Sequence, residues 1–225
     1  IKDQNLKLDF ISWHHYTNNP ADYRADIELL KKLMVDYPEY AKRIEVIISE
    51  WGPNSENDPI YDNPVSAAHL VSSLFEMIPI VDKAFVFELE DGKNPQNEEY
   101  WGRWGLYTHR DFGSHIKPRA EAIKLLNQLG EDRLQLTGTN SFIKALSARK
   151  NQTIQLLVAN YDKANKHTET VPVTITGLTP GLYQQTKTFL SRSTYSQIIE
   201  ITDTTYQTSI PMAPNVVVLL ELTPQ

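Results

Sequence analysis

Cysteine is absent from this chain of 225 residues, so neither a disulfide nor a thiolate metal site can contribute to its fold. No apolar run approaches the roughly 20 residues that a bilayer-spanning helix needs, and we predict no membrane span. Basic runs are absent as well. With 22 Lys and Arg against 28 Asp and Glu the net charge is −6, which argues against nucleic acid as a partner. Since 40% of the residues are apolar, the composition predicts a packed globular protein.

The chain changes its pattern near Gly130. Before it, β-rich runs alternate with amphipathic patterns, which is typical of parallel βα units; strands are predicted at 8–13, 44–49 and 84–89, and helices at 25–35, 65–78 and 117–129. After it the helical period disappears, and short β-rich runs predict an antiparallel β-sandwich with strands at 142–146, 153–160, 170–175, 184–190 and 216–222. The predicted domains are therefore residues 1–130 and 131–225.

Three βα units do not make a complete α/β fold. A closed barrel takes eight such units, and an open three-stranded parallel sheet would leave long apolar edges exposed. The chain also begins with Ile1 rather than Met. We therefore expect a portion of a larger protein, with the missing N-terminal barrel half supplied by the same protein or by a companion chain.

The most informative segment is a run of β-forming residues that ends in a single carboxylate. Ile44–Ile48 suits a strand buried on both faces, and Trp51-Gly52-Pro53 ends that strand directly behind Glu50. Open and barrel-shaped α/β folds gather their chemistry at the carboxyl ends of such strands. An acid in this apolar setting needs either a partner or a function. Both interpretations, a structural salt bridge and a reactive carboxylate, are open at this point.

The first predicted strand leads into His14, His15 and Tyr16. Because side chains alternate along a strand, His14 and Tyr16 share one face and His15 lies on the other. His14 suits either a sugar ligand or a core histidine with its hydrogen bonds made, and Tyr16 suits either a partner of the carboxylate or a half-buried strand residue.

The third predicted strand leads into acids and then into a loop that is rich in aromatic residues. Glu88 and Glu90 follow the strand, and Trp101 and Trp104 lie in the loop. Carboxylates hydrogen-bond hydroxyls, and aromatic rings stack on the C–H faces of sugar rings, so the pattern predicts a saccharide cleft. The alternatives are ion pairing of the acids with Arg or Lys, and packing of the two Trp rings between domains.

A metal centre is an alternative interpretation of the segment that follows this loop, but the spacing of the histidines argues against it. His109, Asp111 and His115 match no familiar ligand spacing, and we predict a polar loop with neither metal nor cofactor.

Four motifs resemble a known enzyme group: Asp9–Tyr16, Ile48–Trp51, Trp104–Tyr107 and Lys117–Ala122. They are similar to the last three βα units of a clan A retaining glycoside hydrolase, and most similar to glycoside hydrolase family 39, the β-xylosidases and related exopolysaccharide hydrolases. The resemblance implies α/β plus all-β architecture, with the end of a (β/α)8 TIM barrel followed by an antiparallel β-sandwich.

The resemblance also implies roles for individual residues. Glu50 matches the catalytic nucleophile, Tyr16 its hydrogen-bond donor, and His14 a sugar contact. Either Glu88 or Glu90 matches a substrate-binding acid, and the remaining candidate substrate contacts are Trp51, Trp101 and Trp104. The family's acid/base follows an Asn at the end of barrel strand four, and the chain contains no such strand.

We therefore expect part of a retaining glycosidase that cleaves a β-linked oligo- or polysaccharide and carries the nucleophile without the acid/base. Residues 87–91 depart from the xylosidase pattern, so a xylose preference is not predicted. The alternative is a non-catalytic carbohydrate-binding or scaffolding protein with a decayed barrel. A secreted or periplasmic location is favoured because such hydrolases are often exported.

Overall fold

The computed structural model describes residue 4 and residues 6–42, 44–190 and 193–225; residues 1–3, 5, 43, 191 and 192 lie outside that description. The chain divides into two compact units. The first comprises Ile1–Pro59 and Ser73–His115, and the second comprises Ile60–Ser72 and Ile116–Gln225. Among the described residues, no helix has both the length and the apolar character needed to cross a membrane.

The first unit contains a parallel sheet of three strands in the order β1-β2-β3, namely β1 Phe10–Tyr16, β2 Glu45–Gly52 and β3 Lys83–Val86. Helix α1 (Ala21–Met34) and the short helix α2 (Pro38–Ala41) connect β1 to β2. Tyr23 and Ile27 of α1 are buried, four residues apart on one helix face. Strands and helices thus alternate as the sequence predicts.

Helix α3 runs from Pro64 to Met77 and helix α4 from Pro118 to Leu126, and both begin at a proline. Asn63 Oδ1 accepts a hydrogen bond from the Val65 backbone N–H at 3.0 Å, which caps the first turn of α3. Proline suits the first turn because that N–H would have no helical partner. Two short 3₁₀ helices lie at Pro59–Asp62 and Arg110–Phe112.

The second unit holds an antiparallel sheet of six strands in the order β4-β5-β6-β11-β8-β9 and a sheet of two strands, β10-β7. Val158 and Val218 of the larger sheet share one buried apolar cluster with Val173 and Ile210 of the smaller sheet. The strands are β4 Asp132–Arg133, β5 Ile143–Lys150, β6 Thr153–Asn160, β7 Glu169–Thr176, β8 Gly181–Phe189, β9 Thr194–Ile201, β10 Thr205–Met212 and β11 Val217–Pro224.

Every strand and helix predicted from the sequence exists, and in the described part of the chain the prediction missed one α-helix, α2, and three strands, β4, β9 and β10. Strand β9 is exposed along most of its length, so it lacks the apolar alternation that marks a half-buried strand. Strand β1 also continues to Tyr16, three residues beyond its predicted end at Trp13. His14 and Tyr16 therefore lie within the sheet itself.

Candidate functional site in the first unit

A β-bulge aligns the end of β1 with Glu50. Trp13 is paired with Ile48, but the next residue, His14, is paired with Glu50, so Ser49 has no counterpart on β1. The Ser49 hydroxyl donates a hydrogen bond to the Trp13 carbonyl at 3.1 Å. A bulge re-aims the side chains that follow it, and here it makes Glu50 the cross-strand neighbour of His14.

The Glu50 carboxylate receives two contacts from β1, and both fall on the same oxygen. The Tyr16 hydroxyl donates a hydrogen bond to Oε2 at 3.1 Å, and the His14 Nδ1 lies 3.3 Å from Oε2. The Glu50 side chain is 34% exposed. Among the described residues no Lys or Arg forms an ion pair with Glu50, so the carboxylate is held in place and still accessible.

His15 faces the opposite side of β1, as the strand alternation predicts. Its Nδ1 lies 2.5 Å from Asp26 Oδ2, and the Trp13 indole N–H donates to the same oxygen at 3.0 Å. Asp26 belongs to α1, so this face of β1 is fixed to the helix. Because that anchoring determines the position of β1, it also determines where His14 and Tyr16 are presented.

Glu88 follows β3 and is connected through its backbone to the aromatic loop. Its N–H donates to the Trp104 carbonyl at 2.8 Å, and its carbonyl accepts from the Leu106 N–H at 2.9 Å. Burial raises the pKa of Glu88 above its usual value, and the negative charges of Asp91 and Glu50 raise it further. The shift is toward the protonated form, in which a carboxyl group is a hydrogen-bond donor as well as an acceptor.

Glu90 is bound by an arginine of its own unit. Its oxygens accept from Arg110 Nε at 3.0 Å and Nη2 at 2.8 Å, and the Arg110 backbone N–H donates at 2.6 Å. These hydrogen bonds lower the pKa of Glu90 to about 2. The structure thus shows the strand-end acid paired with Arg, and the sugar-binding role of Glu90 stays a prediction.

The three tryptophans predicted as sugar contacts lie in different environments. Trp104 is half-buried, with its ring 6.1 Å from that of Phe87, and Trp101 is 43% exposed. Trp51 is only 1% exposed, and its ring packs edge-on against Tyr23 at 5.9 Å. The structure therefore places Trp51 in the core instead of beside Glu50, because adjacent residues of a strand point to opposite faces.

Gly105 and Asp91 fix the path of the loop, a role that the sequence analysis did not assign. Asp91 is buried, and its Oδ1 accepts a hydrogen bond from the Gly105 N–H at 2.8 Å. A Cβ atom at Gly105 would lie 2.2 Å from the Asp91 backbone nitrogen, so no other residue fits without a backbone shift. The only signal in the sequence was the position of Gly105 inside the motif Trp104–Tyr107.

The sequence model of the group described as Glycosyl hydrolases family 39 matches residues 1–192. The chain belongs to this family. The predicted resemblance is therefore confirmed. Among curated proteins, none matches the chain in sequence.

Solved structures similar to this family 39 chain include a glucosidase from Croceicoccus marinus, with 20% identity and a TM-score of 0.79 over 100% of this chain. A monomeric β-xylosidase from Caulobacter crescentus CB15 is 17% identical, with a TM-score of 0.73 over 99% of this chain. The GH39 enzyme from Xanthomonas axonopodis pv. citri is also 17% identical, with a TM-score of 0.75 over 100% of this chain. The match spans 55%, 57% and 56% of those three chains, so this chain covers just over half their length.

Proposed function

We propose that this chain is the nucleophile-bearing portion of a retaining glycoside hydrolase that cleaves a β-linked oligo- or polysaccharide. In this proposal residues 1–130 form the last three βα units of a TIM barrel, and residues 131–225 form a β-sandwich. The observation that carries the proposal is the Glu50 carboxylate, accessible at the end of β2 and hydrogen-bonded by Tyr16 at 3.1 Å. Family membership supports the same chemistry.

Retaining hydrolysis proceeds in two displacements. A carboxylate attacks the anomeric carbon while an acid protonates the leaving oxygen, and water then hydrolyses the covalent glycosyl-enzyme. Tyr16 and His14 both contact Oε2 of Glu50, so Oε1 is the oxygen that we assign to the attack. The hydrogen bond from Tyr16 fixes the plane of the carboxylate, which orients Oε1 for displacement at the sugar carbon.

The substrate contacts in this proposal come from the strand ends and from the loop after β3. His14 and Glu88 are each assigned to a sugar hydroxyl, and burial raises the pKa of Glu88. Trp101 and Trp104 supply aromatic faces for stacking. Glu90 belongs to the site through Arg110, which holds it ionised beside the loop.

The acid/base is proposed to lie in the part of the protein that this chain does not include. The two carboxyl groups of a retaining enzyme stand about 5–5.5 Å apart. We assign the second of them to the end of barrel strand four, and this chain spans only 55% of the length of the Croceicoccus marinus structure, which supports that assignment. Turnover of an unactivated oligosaccharide is accordingly expected only from the protein that contains both parts.

A covalent inhibitor tests the assignment of Glu50. An activated 2-fluoroglycoside traps the glycosyl-enzyme, and peptide mass spectrometry locates the label, which we expect on Glu50. Glu50→Gln should abolish both labelling and turnover. Glu45→Gln is the matched control, since it makes the same change in charge at the start of β2, where Glu45 forms an ion pair with Lys83 at 2.6 Å, and it should still be labelled. A label on another residue, or full activity in Glu50→Gln, overturns the proposal. Sugar binding without labelling or turnover would favour the non-catalytic alternative.

A further inference from the structure

We propose that the second unit carries its own binding site for a neutral oligosaccharide, in an open cleft between its two sheets. The cleft has a volume of about 1000 Å³ and is lined by residues of β7, β8, β9 and β10. Its walls combine an exposed aromatic ring with carboxamide and hydroxyl groups. The choice of a β-linked sugar as ligand rests on the proposed function, whereas the site itself is separate from Glu50.

Strand pairing brings the groups of this cleft onto one face. Lys187 is directly opposite Tyr195, and Gln185 is directly opposite Gln197. Residues opposite each other in an antiparallel pair point to the same side of the sheet. Phe189 follows Lys187 by two residues and shares that side. Its ring lies 6.1 Å from the Tyr195 ring at 85°.

Tyr195 is the candidate stacking platform. Tyr195 is 62% exposed, which is high for a residue type of intermediate burial. The edge-on contact with Phe189 supports the ring from one side. The exposed face of the Tyr195 ring is an apolar surface of about the size of a sugar ring. Its hydroxyl can also form hydrogen bonds with a ligand.

A chain of hydrogen bonds fixes the carboxamides beside this ring. Gln197 Nε2 donates to Gln185 Oε1 at 3.0 Å, and Gln185 Nε2 donates to the Tyr206 hydroxyl at 2.6 Å. Gln185 is 3% exposed, so this series of hydrogen bonds has a buried end, which fixes the orientation of the two carboxamide groups. Gln197 is exposed and keeps one N–H and its carbonyl oxygen. A donor and an acceptor held side by side suit a pair of sugar hydroxyls.

The charges of the cleft are already engaged within the protein, which favours a neutral ligand. Of the described residues that line it, only Lys187 and Glu169 are charged. Lys187 Nζ donates to the Ser209 carbonyl at 2.9 Å, and burial lowers its pKa. Glu169 lies 2.9 Å from His167 Nε2 and lacks an arginine partner among the described residues. An anionic polymer would find no uncommitted cation among them.

Calorimetry on the protein that contains this chain tests the site, with Glu50→Gln as background to prevent turnover. Xylohexaose and cellohexaose are the probes, and polygalacturonate is the anionic comparison. We expect a binding event that Tyr195→Ala or Gln197→Ala weakens about tenfold. Tyr195→Phe should retain it within about twofold because the ring remains.

Ile198→Ala is the matched control, because Ile198 is 58% exposed on the opposite face of the same strand. It should leave the binding event unchanged. The proposal is overturned if neither neutral probe binds, if Tyr195→Ala and Gln197→Ala both bind as the background does, or if polygalacturonate binds more tightly. Labelling of Glu50 is measured separately, so failure of this site and failure of the proposed function are distinguishable.

Discussion

Removing the hydroxyl of Tyr16 isolates one contact of the proposed nucleophile. In Tyr16→Phe the ring is retained, but the hydrogen bond to Glu50 Oε2 at 3.1 Å is lost. The carboxylate keeps its contact with His14 Nδ1 at 3.3 Å. The substitution therefore changes the stabilisation of the carboxylate while its position in the sheet is preserved.

The expected effect is larger on the second chemical step than on the first. In the proposed mechanism Glu50 attacks as a carboxylate and shares its oxygen with the sugar in the glycosyl-enzyme, so the carboxylate is restored during deglycosylation. A hydrogen bond to a charged group contributes about 1.5–3 kcal/mol. Glu50 is 34% exposed, so water replaces part of this contribution. We expect a loss of about 1–1.4 kcal/mol, which lowers the rate of deglycosylation about five- to tenfold.

A dinitrophenyl glycoside is the substrate for the assay, because its leaving group makes glycosylation fast. Stopped-flow release of dinitrophenol should show a burst in Tyr16→Phe, followed by a turnover rate that is reduced about five- to tenfold. Tyr23→Phe is the control, since its hydroxyl donates to the backbone carbonyls of His15 and Gly52 at 3.2 Å. Equal rates in Tyr16→Phe and the parent protein, or equal losses in both variants, would refute the role of Tyr16.

Two further predictions concern the acids and the loop after β3. The pKa of Glu88 is raised in the folded protein, so protonation of this carboxyl group stabilises the fold. That stabilisation is complete below the usual pKa of 4.5 and is lost as the pH rises through the pKa of Glu88 in the folded protein. Glu88→Gln should therefore raise the Tm at pH 7 and leave it unchanged at pH 3.5; an identical shift at both pH values would contradict this. Gly105→Ala places a Cβ 2.2 Å from the Asp91 nitrogen and should cost about 3 kcal/mol or more of unfolding free energy in urea titrations. Gly92→Ala is its control at about 1 kcal/mol or less, because its Cβ meets the exposed Trp101 ring at 3.0 Å and that ring can shift. A cost of about 1 kcal/mol or less for Gly105→Ala as well would show that the loop tolerates a side chain there, against this prediction.

The position of Glu50 at the end of a buried strand was predictable from the sequence, but its neighbours were only partly so. Alternation along β1 assigns His14 and Tyr16 to one face, and both contact Glu50. The same rule, applied to β2, puts the side chains of Trp51 and Glu50 on opposite faces of the strand. Trp51 is accordingly buried while Glu50 is accessible. The bulge at Ser49 was not predictable, because pairing register depends on both strands together.

The second unit shows a different limit of sequence patterns. Strands β5, β6 and β11 are apolar enough to be read directly, since their residues fill the core. Strand β9 is an edge strand with polar residues on both faces, so its β-forming residues do not show the apolar alternation that identifies a half-buried strand. The strand is defined by its antiparallel pairing with residues 181–188 of β8, and this pairing is visible only in the folded structure.

The three strand-end carboxylates differ in the way that a displacement mechanism requires. Glu90 is bound on both oxygens by Arg110, which keeps it ionised and paired with a guanidinium group. Burial and two negative neighbours favour the neutral form of Glu88, which is a poor nucleophile. Glu50 accepts from a neutral hydroxyl, is accessible, and has no guanidinium or ammonium partner among the described residues. Of these three acids, only Glu50 combines a fixed orientation with an oxygen that can still form a bond.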